Sequence, residues 1–437
     1  MTNKLSTQPY KGTRDFLPEE MSIRTQLFET LFQAVESFGF QRYDGPVLES
    51  AEIYEAKSGE EIANQQLYSL VDKGNRRLAL RPEMTPSVAR MIARSAGTLS
   101  FPARWYSHVN CHRYERPQRG RVREHWQLNV DMFGSESAEA EVEIFDLIHA
   151  LLGAMGASDD QYVLRVNDRI LVEAALTNHV GVPEEKRTDV GMIIDRWEKV
   201  NEAARAKAMA ELGLDGAPFE RLCELVNMDL DAYCQAAGPE AVERSRIVAI
   251  IREKQSQAPI QFDPMIMRAF NYYTSTVFEV FDTDPKNRRS IFGGGRYDDL
   301  ASLFTKQKIP GIGFGMGDVT TWNFMESHGL LPKPDTGAQV YLFSTEAEGQ
   351  AMVRQAARTF RQAGYRTSTA MGPTRMRNGL KQANRMGVIF AGIIGTSEIE
   401  NNSLTIKNMK LGDQDIVDQE TLLDHLKSFM IQPVKYR

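Results

Sequence analysis

Between Pro310 and Asp318 the chain reads PGIGFGMGD, with glycine at 311, 313, 315 and 317. Spaced two apart, these glycines share one face of a strand, and Ile312, Phe314 and Met316 share the other. A strand bare on one side lets a flat molecule or another backbone come close, or lets a helix pack tightly on it. The spacing is not that of a dinucleotide fingerprint. The chain also lacks a G-x-x-x-x-G-K-[ST] loop, so any ATP bound here is held without a P-loop.

A second strand pattern lies at EHWQLNVDMF, residues 124–133. His125, Gln127, Asn129 and Asp131 alternate with Trp126, Leu128, Val130 and Met132. Pattern alone favours an amphipathic strand with its polar face in water. Two details favour a pocket. The polar face holds neither Lys nor Glu, and the strand follows RYERPQRGRVR, 113–123, which has five arginines and one acid. Arginine suits planar, bidentate contacts with phosphate. Residues 104–134 thus read as two strands around a charged loop that contains Pro117 and Gly120.

With 437 residues, the chain suggests two or three domains. Apolar periodicity predicts helices over 21–40, with Leu27, Leu31, Ala34 and Val35 on one face, and over 136–156, with a stripe of Val142, Phe145, Ile148 and Leu152. A strand-like piece runs from Arg42 to Leu48, and 267–281 reads as a strand. In RPEMTPSVARM, 81–91, Thr85 suits an N-cap with Pro86 as first helical residue. Residues 168–260 are rich in Ala, Glu, Arg and Leu at helical spacing and read as a helical insertion. After a Pro/Gly linker at 330–338, strands and helices alternate: VYLF, helices near 346–364 and 375–386, then VIFAGII. That alternation suggests a small α/β domain with a mixed or parallel sheet.

The net charge of −6 counts mildly against nucleic-acid binding, but it averages over the surface. Besides the 113–123 loop, residues 370–410 carry Arg375, Arg377, Lys381, Arg385, Lys407 and Lys410 against Glu398 and Glu400. No apolar run is long enough for a membrane span, and the N-terminal stretch has no apolar signal core. Three cysteines (Cys111, Cys223, Cys234) fit neither a zinc pattern nor a disulfide framework. The expectation is a cytoplasmic protein with no membrane partner. His149, His179, His328 and His425 are assigned no role.

Taken in order, these segments resemble the histidyl-tRNA synthetase family of class II aminoacyl-tRNA synthetases. KGTRDFLPEE at 11–20 is similar to its N-terminal signature, and Pro46 stands where motif 1 places a dimer-interface proline. RPEMT at 81–85 resembles the first histidine motif, and 113–134 resembles motif 2. MRAFNYYTSTVFE at 267–279 resembles the second histidine motif, and GGGRYDDL at 293–300 matches the Gly-Gly-Arg-Tyr-Asp element. The last hundred residues resemble the anticodon-binding domain, most tellingly in LKQANRMG and TIKNMKLGDQ.

The resemblance implies an α+β fold: an antiparallel sheet with flanking helices, a helical insertion and a C-terminal α/β anticodon-binding domain. The expected limits are 1–167 and 261–330 for the catalytic core, 168–260 for the insertion and 336–432 for the anticodon-binding domain. It implies a homodimer that uses ATP, with Mg²⁺ on the nucleotide rather than on a protein-only metal site, to activate L-histidine. The histidyl group then passes to the 3′ end of tRNA(His). Arg113 and Arg268 would be catalytic. Glu83, Thr85 and Gln127 would receive the α-amino group, and Asp131 and Tyr273, with Tyr272 beside them, would read the imidazole. Arg113, Glu115, Arg121 and His125 would hold ATP, and Arg116 and Gln118 would meet the tRNA 5′ end.

The sequence departs from the family pattern in places. Motif 3 ordinarily ends Gly-x-Glu-Arg, with the arginine on the γ-phosphate, whereas here Gly317 is followed by Asp318 and Val319. His125 replaces the usual Phe that stacks on adenine, and Asp131 is one methylene shorter than the commoner Glu. Ala269, Phe270 and Asn271 replace Gly, Leu and Asp. The second reading is a catalytically silent relative that senses histidine, such as the regulatory subunit of ATP phosphoribosyltransferase. It is disfavoured by the retained motif 2 arginines and the C-terminal domain. A synthetase for another amino acid is disfavoured by the paired tyrosines and the polar strand.

Overall fold

The glycine strand lies inside an eight-stranded sheet. The structure, a computed structural model, describes residues 5–56, 66–254, 258–267, 272–335 and 337–424. Contacts divide the chain into two units: Met1–Asp15 with Thr25–Pro332, and Phe16–Arg24 with Lys333–Arg437.

In the first unit the strands are β1 (Gln41–Arg42), β2 (Leu48–Ser50), β3 (Tyr68–Val71), β4 (Arg77–Leu80), β5 (Ala103–His112), β6 (Glu124–Phe133), β7 (Tyr162–Asp168), β8 (Ile260–Phe262), β9 (Thr276–Asp282), β10 (Ser290–Arg296) and β11 (Gly311–Gly317). The large sheet has the order β1-β5-β6-β11-β10-β9-β7-β8, and β2-β4-β3 form a small one. All pairs in the large sheet are antiparallel except β1 with β5 and β7 with β8, at the two edges.

Period-two alternation decides which face is which. Leu128, Val130 and Met132 of β6 and Ile312, Phe314 and Met316 of β11 are buried in one apolar cluster. Over them lie Ile144, Phe145, Ile148, Leu151 and Leu152 of the helix Glu139–Ala154, and Leu27, Leu31 and Val35 of the helix Pro18–Ser37. Each such side chain contributes about 1.5–3 kcal/mol on leaving water, so this face alone fixes the register of β6 and β11. Helices from Arg169–Ala175 to Ile247–Lys254 occupy the stretch between β7 and β8.

Several local expectations shift. The piece from Arg42 to Leu48 is two short strands with an irregular turn between them, because Gly45 and Pro46 interrupt pairing. The strand foreseen over 267–281 begins only at Thr276, so Tyr272 and Tyr273 precede it. Thr85 is the first residue of the helix Thr85–Ser95, and Met84 is its cap, without a side-chain hydrogen bond.

In the second unit, β12 (Val340–Ser344), β13 (Thr367–Thr369), β14 (Phe390–Ile394), β15 (Ser403–Asn408) and β16 (Gln414–Asp418) form a sheet in the order β13-β12-β14-β15-β16. β12 pairs in parallel with β13 and β14, and the remaining pairs are antiparallel, so the sheet is mixed. β12 and β14 are buried along their whole length, as strands covered on both faces are. Val353, Ala356 and Phe360 of the helix Gln350–Gln362 join one core and Ala383 of the helix Met376–Arg385 joins another.

Candidate active site

The polar face of β6 lies opposite this core, and it is not in water. Asn129 and Asp131 are both 1% exposed. Register explains the cover. Gly313 pairs with Asp131, Gly315 with Asn129 and Gly317 with Gln127 on β11, and Gly295 and Gly293 of β10 continue the bare face beyond Gly313 and Gly315. A Cβ on Gly313 would stand 2.7 Å from both Asp131 Oδ1 and Tyr297 Oη, and one on Gly315 would stand 2.3 Å from Gln127 Nε2. On Gly295 it would stand 2.6 Å from the Tyr273 ring. The glycines therefore form a floor across which the polar and aromatic side chains lie.

The pocket walls come from distant segments. Glu83, just before the helix Thr85–Ser95, is 3% exposed and accepts a hydrogen bond of 2.8 Å from Tyr272 Oη. Thr85 is buried beside it in sequence. The Tyr272 and Tyr273 rings are 4.8 Å apart, and Tyr297 packs against both at 5.9 and 6.4 Å. Tyr297 Oη donates to Asp131 Oδ1. Asp131 Oδ2 has no hydrogen-bond partner among the described residues, although it is buried. Burial, with the Glu83 charge adding to it, raises the Asp131 carboxyl to about 7 against the Tyr297 hydrogen bond. Gln127 Nε2 donates to Asn129 Oδ1 at 2.7 Å. Two carboxylates, one with an unpaired acceptor, line an aromatic cavity, which suits a small cation with a ring N–H.

At the other end of β6 the arginines gather. Arg113 Nε donates to Pro82 O at 2.9 Å, tying the hairpin to the segment that carries Glu83. Arg121 pairs with Glu115 at 3.2 Å. Backbone hydrogen bonds between Gln118 and Arg121, in both directions, close the loop around Gly120, whose φ of +78° favours glycine. Arg116 and Gln118 are exposed on that loop. His125 opens β6, and burial together with the charges of Arg113 and Arg14 pushes its imidazole down to about 3. It is thus a neutral flat ring among cations at neutral pH.

The structure brings Glu83, Asp131, Tyr272 and Tyr273 together, sets Gln127 on β6 between Asn129 and His125, ties Arg113 to the segment before Glu83 and pairs Arg121 with Glu115; Thr85 is buried at the start of the adjoining helix. Arg268 lies outside the described residues. Sequence reasoning missed several contributors. Tyr297 follows Gly293 and Gly295 at period two, a signal that would have put it on the site face. Ser107 and Tyr43 bring two buried hydroxyls to the Asp131 wall; Ser107 pairs with Asn129, and the Asp131 charge adds to burial in raising the Tyr43 phenol. Arg14 Nη2 donates to Asp318 Oδ2 at 2.8 Å, and Asp318 Oδ1 accepts from Trp126 N at 3.0 Å. Asp318, two positions before the missing motif 3 arginine, is therefore a brace between the N-terminal segment and β6. Arg296 is a structural anchor: fully buried, it makes two bonds of 2.6 Å to Glu141, which Thr276 also reaches.

Comparison with known proteins gives the chain's family. The histidyl-tRNA synthetase family profile matches residues 12–318, and that of an anticodon binding domain matches 339–429. A histidine–tRNA ligase of Leptospira biflexa is 37% identical over 415 residues, covering 94% of this chain and 95% of its own. One from Thermoplasma volcanium is 36% identical over 424 residues, covering 95% and 97%. The crystal structure of histidyl-tRNA synthetase from Nostoc superposes with a TM-score of 0.79 at 24% identity, covering 97% of this chain and 99% of that one, a likeness of fold. The chain belongs to the histidyl-tRNA synthetase family.

Proposed function

We propose that the protein is a histidine–tRNA ligase. The carboxylate oxygen of L-histidine attacks the α-phosphorus of ATP, the bond to the β-phosphate breaks, and pyrophosphate leaves. The terminal adenosine of tRNA(His) then takes the histidyl group from the adenylate and AMP departs. The observation that carries this reading is that Glu83 and Asp131 are buried among Tyr272, Tyr273 and Tyr297, with Arg113 tied to the segment that carries Glu83. Asp131 Oδ2 accepts the imidazole N–H beside Tyr272 and Tyr273, and Glu83, Thr85 and Gln127 meet the ammonium. An isostere lacking the ring N–H leaves that acceptor buried and unpaired, and is rejected.

Such chemistry rests on positioning and charge stabilisation. Arg113 holds the α-phosphate and Arg121 a further phosphate, with Glu115 near the adenine. His125, neutral at pH 7, offers a face to the purine. Arg268 keeps the role that the resemblance gives it, on the transferring phosphate and carboxylate. Among the described residues no cluster of three or more His, Cys, Asp or Glu could hold a metal ion. Magnesium, in this reading, travels on the ATP phosphates and neutralises their charge.

The tRNA contacts have two supports. Arg116 and Gln118 are exposed at the hairpin tip for the 5′ end. Arg375, Arg377, Lys381 and Arg385 are exposed on and just before the helix Met376–Arg385 of the second unit. A homodimer is supported by Pro46, Val47 and Leu48, exposed beside Leu70 and Val71 on the β2-β4-β3 sheet. The domain limits are kept at 1–167 with 261–330, 168–260 and 336–432. No helix among the described residues is long and apolar enough to cross a membrane; a cytoplasmic site is the reading that the three free cysteines support.

The test is ATP–pyrophosphate exchange with each amino acid in turn. Exchange with histidine alone is expected. A folded protein that binds histidine without exchange would establish the silent sensor instead. Arg268→Ala should abolish exchange and leave histidine binding; wild-type exchange in that variant removes Arg268 from the chemistry.

A further inference from the structure

Counted from Gly317, the Gly-x-Glu-Arg pattern of the family's third motif would place its phosphate-binding arginine where Thr320 stands, so the outer phosphates need another cation. The hairpin segment between β9 and β10 supplies one. Arg289 Cδ stands 3.2 Å and its Nε 3.9 Å from the point at which a Gly120 Cβ would lie, and Thr320 Cγ2 stands 3.7 Å from the same point. Gly120 belongs to the arginine loop, and Thr320, the position of the absent arginine, lies in the first turn of the helix Asp318–Ser327. Arg289 thus stands between the loop and the very turn that lacks its arginine.

The segment is held there firmly. Asn287 Nδ2 donates to Asp282 Oδ2 at 2.7 Å and to Ser327 Oγ at 2.9 Å, and Arg119 Nη2 donates to Asn287 Oδ1 at 3.1 Å. Two residues past Arg289, Ile291 O accepts from Thr320 Oγ1. Arg289 is pinned on both sides, yet its own guanidinium makes no hydrogen bond or ion pair among the described residues and is exposed. Partial burial and the neighbouring positive charge of Arg121 disfavour its charged form, with Glu115 acting only as a partial offset. Two guanidinium groups near one carboxylate, itself taken by Arg121, leave positive charge for an anion to satisfy.

We propose that Arg289 binds the β- and γ-phosphates of ATP, and hence pyrophosphate, in place of the absent motif 3 arginine; this rests on the ATP reading of the site given above. The atoms that Arg289 meets are those of the leaving group. It therefore acts on ATP and pyrophosphate but not on AMP or histidine.

The experiment compares Arg289→Ala, Arg289→Lys and, as a neighbouring exposed control, Arg288→Ala in histidine-dependent ATP–pyrophosphate exchange, with AMP as competitive inhibitor. Arg289→Ala should raise KM for both ATP and pyrophosphate by about tenfold or more, as loss of a charged hydrogen bond does, with KM for histidine and the AMP inhibition constant unchanged. Arg289→Lys should recover part of the loss, and Arg288→Ala should behave as wild type. Unchanged KM for ATP and pyrophosphate in Arg289→Ala overturns the proposal. So does AMP inhibition weakened as much as ATP use, since Arg289 would then be supporting the loop. Absence of exchange in the wild type refutes the ligase reading, and this proposal with it.

Discussion

Asp131→Asn changes one charge at nearly constant shape. The Asn Oδ1 can still accept from Tyr297, so what is lost is the anion that Oδ2 presents to the ligand. Burial raises the Asp131 carboxyl to about 7. If the ionised form accepts the imidazole N–H, wild type must be deprotonated to bind. At that pKa roughly a tenth of the sites are ionised at pH 6 and nine tenths at pH 8, a near-tenfold change or about 1.4 kcal/mol. Free histidine titrates in the same range, at about 6.5, but it does so equally for both proteins. The quantity to measure is therefore the ratio of histidine dissociation constants, Asn variant over wild type, by calorimetry from pH 6 to 8. It should grow about tenfold across that range. A constant ratio would refute the reasoning, and a falling ratio would mean that Asp131 binds as the protonated donor.

The same group makes a second statement, about stability without ligand. Its folded-state pKa lies above the ordinary carboxyl value of 3.8, so the native chain holds the proton longer than the unfolded chain. The stability it allows is complete below about pH 4 and is lost as pH rises to about 7, by on the order of 4 kcal/mol. Asparagine does not titrate. Urea unfolding should show Asp131→Asn gaining on wild type between pH 4 and 8, and parallel profiles would contradict the burial argument.

Three further outcomes follow from the packing. Gly315→Ala pushes against the far end of the Gln127 side chain, which can swing, so the protein should fold with a loss of about 1–3 kcal/mol while KM for histidine rises; Gly313→Ala meets the Val130 carbonyl at 2.3 Å and should fail to fold, a contrast read by soluble yield and circular dichroism. His125→Phe should keep KM for ATP near the wild-type value, whereas His125→Ala should raise it several-fold, since a neutral flat ring is what the site uses. Arg296→Met strands Glu141 without its partner in the core and should cost about 3–5 kcal/mol in denaturant unfolding, with little change in substrate KM per folded molecule.

The sequence made the β5–β6 hairpin legible because its apolar and polar residues alternate without a break and its loop carries Pro117 and Gly120. It could not say that the polar face is buried. The cover comes from Glu83, from Tyr272 and Tyr273, and from glycines on β11, and only the sheet order β6-β11-β10 brings these together. Distance along the chain hid Arg14, whose partner Asp318 lies 304 residues away. The pattern over 267–281 reads as one strand; Tyr272 and Tyr273 instead precede β9 and pack against Tyr297. Arg113 and His125 stand out in sequence only through resemblance, since a run of arginines is otherwise an ordinary solvated turn.

The glycine face also bears on how such a pocket can change. A wall made of side chains can be deepened, polarised or recharged one residue at a time. β11 offers little such gradation: a Cβ at 311 would meet the Tyr297 ring and one at 313 the Val130 carbonyl, and only 315, where Gln127 can swing, leaves room for one. Drift toward another amino acid thus falls mainly on the side chains that lie over this floor, those of the neighbouring strand β6 and the tyrosines. There, on the proposed reading, each change alters a group that meets the ligand, and loss of the old substrate precedes gain of a new one. A floor of bare backbone makes the choice of substrate hard to shift by small steps.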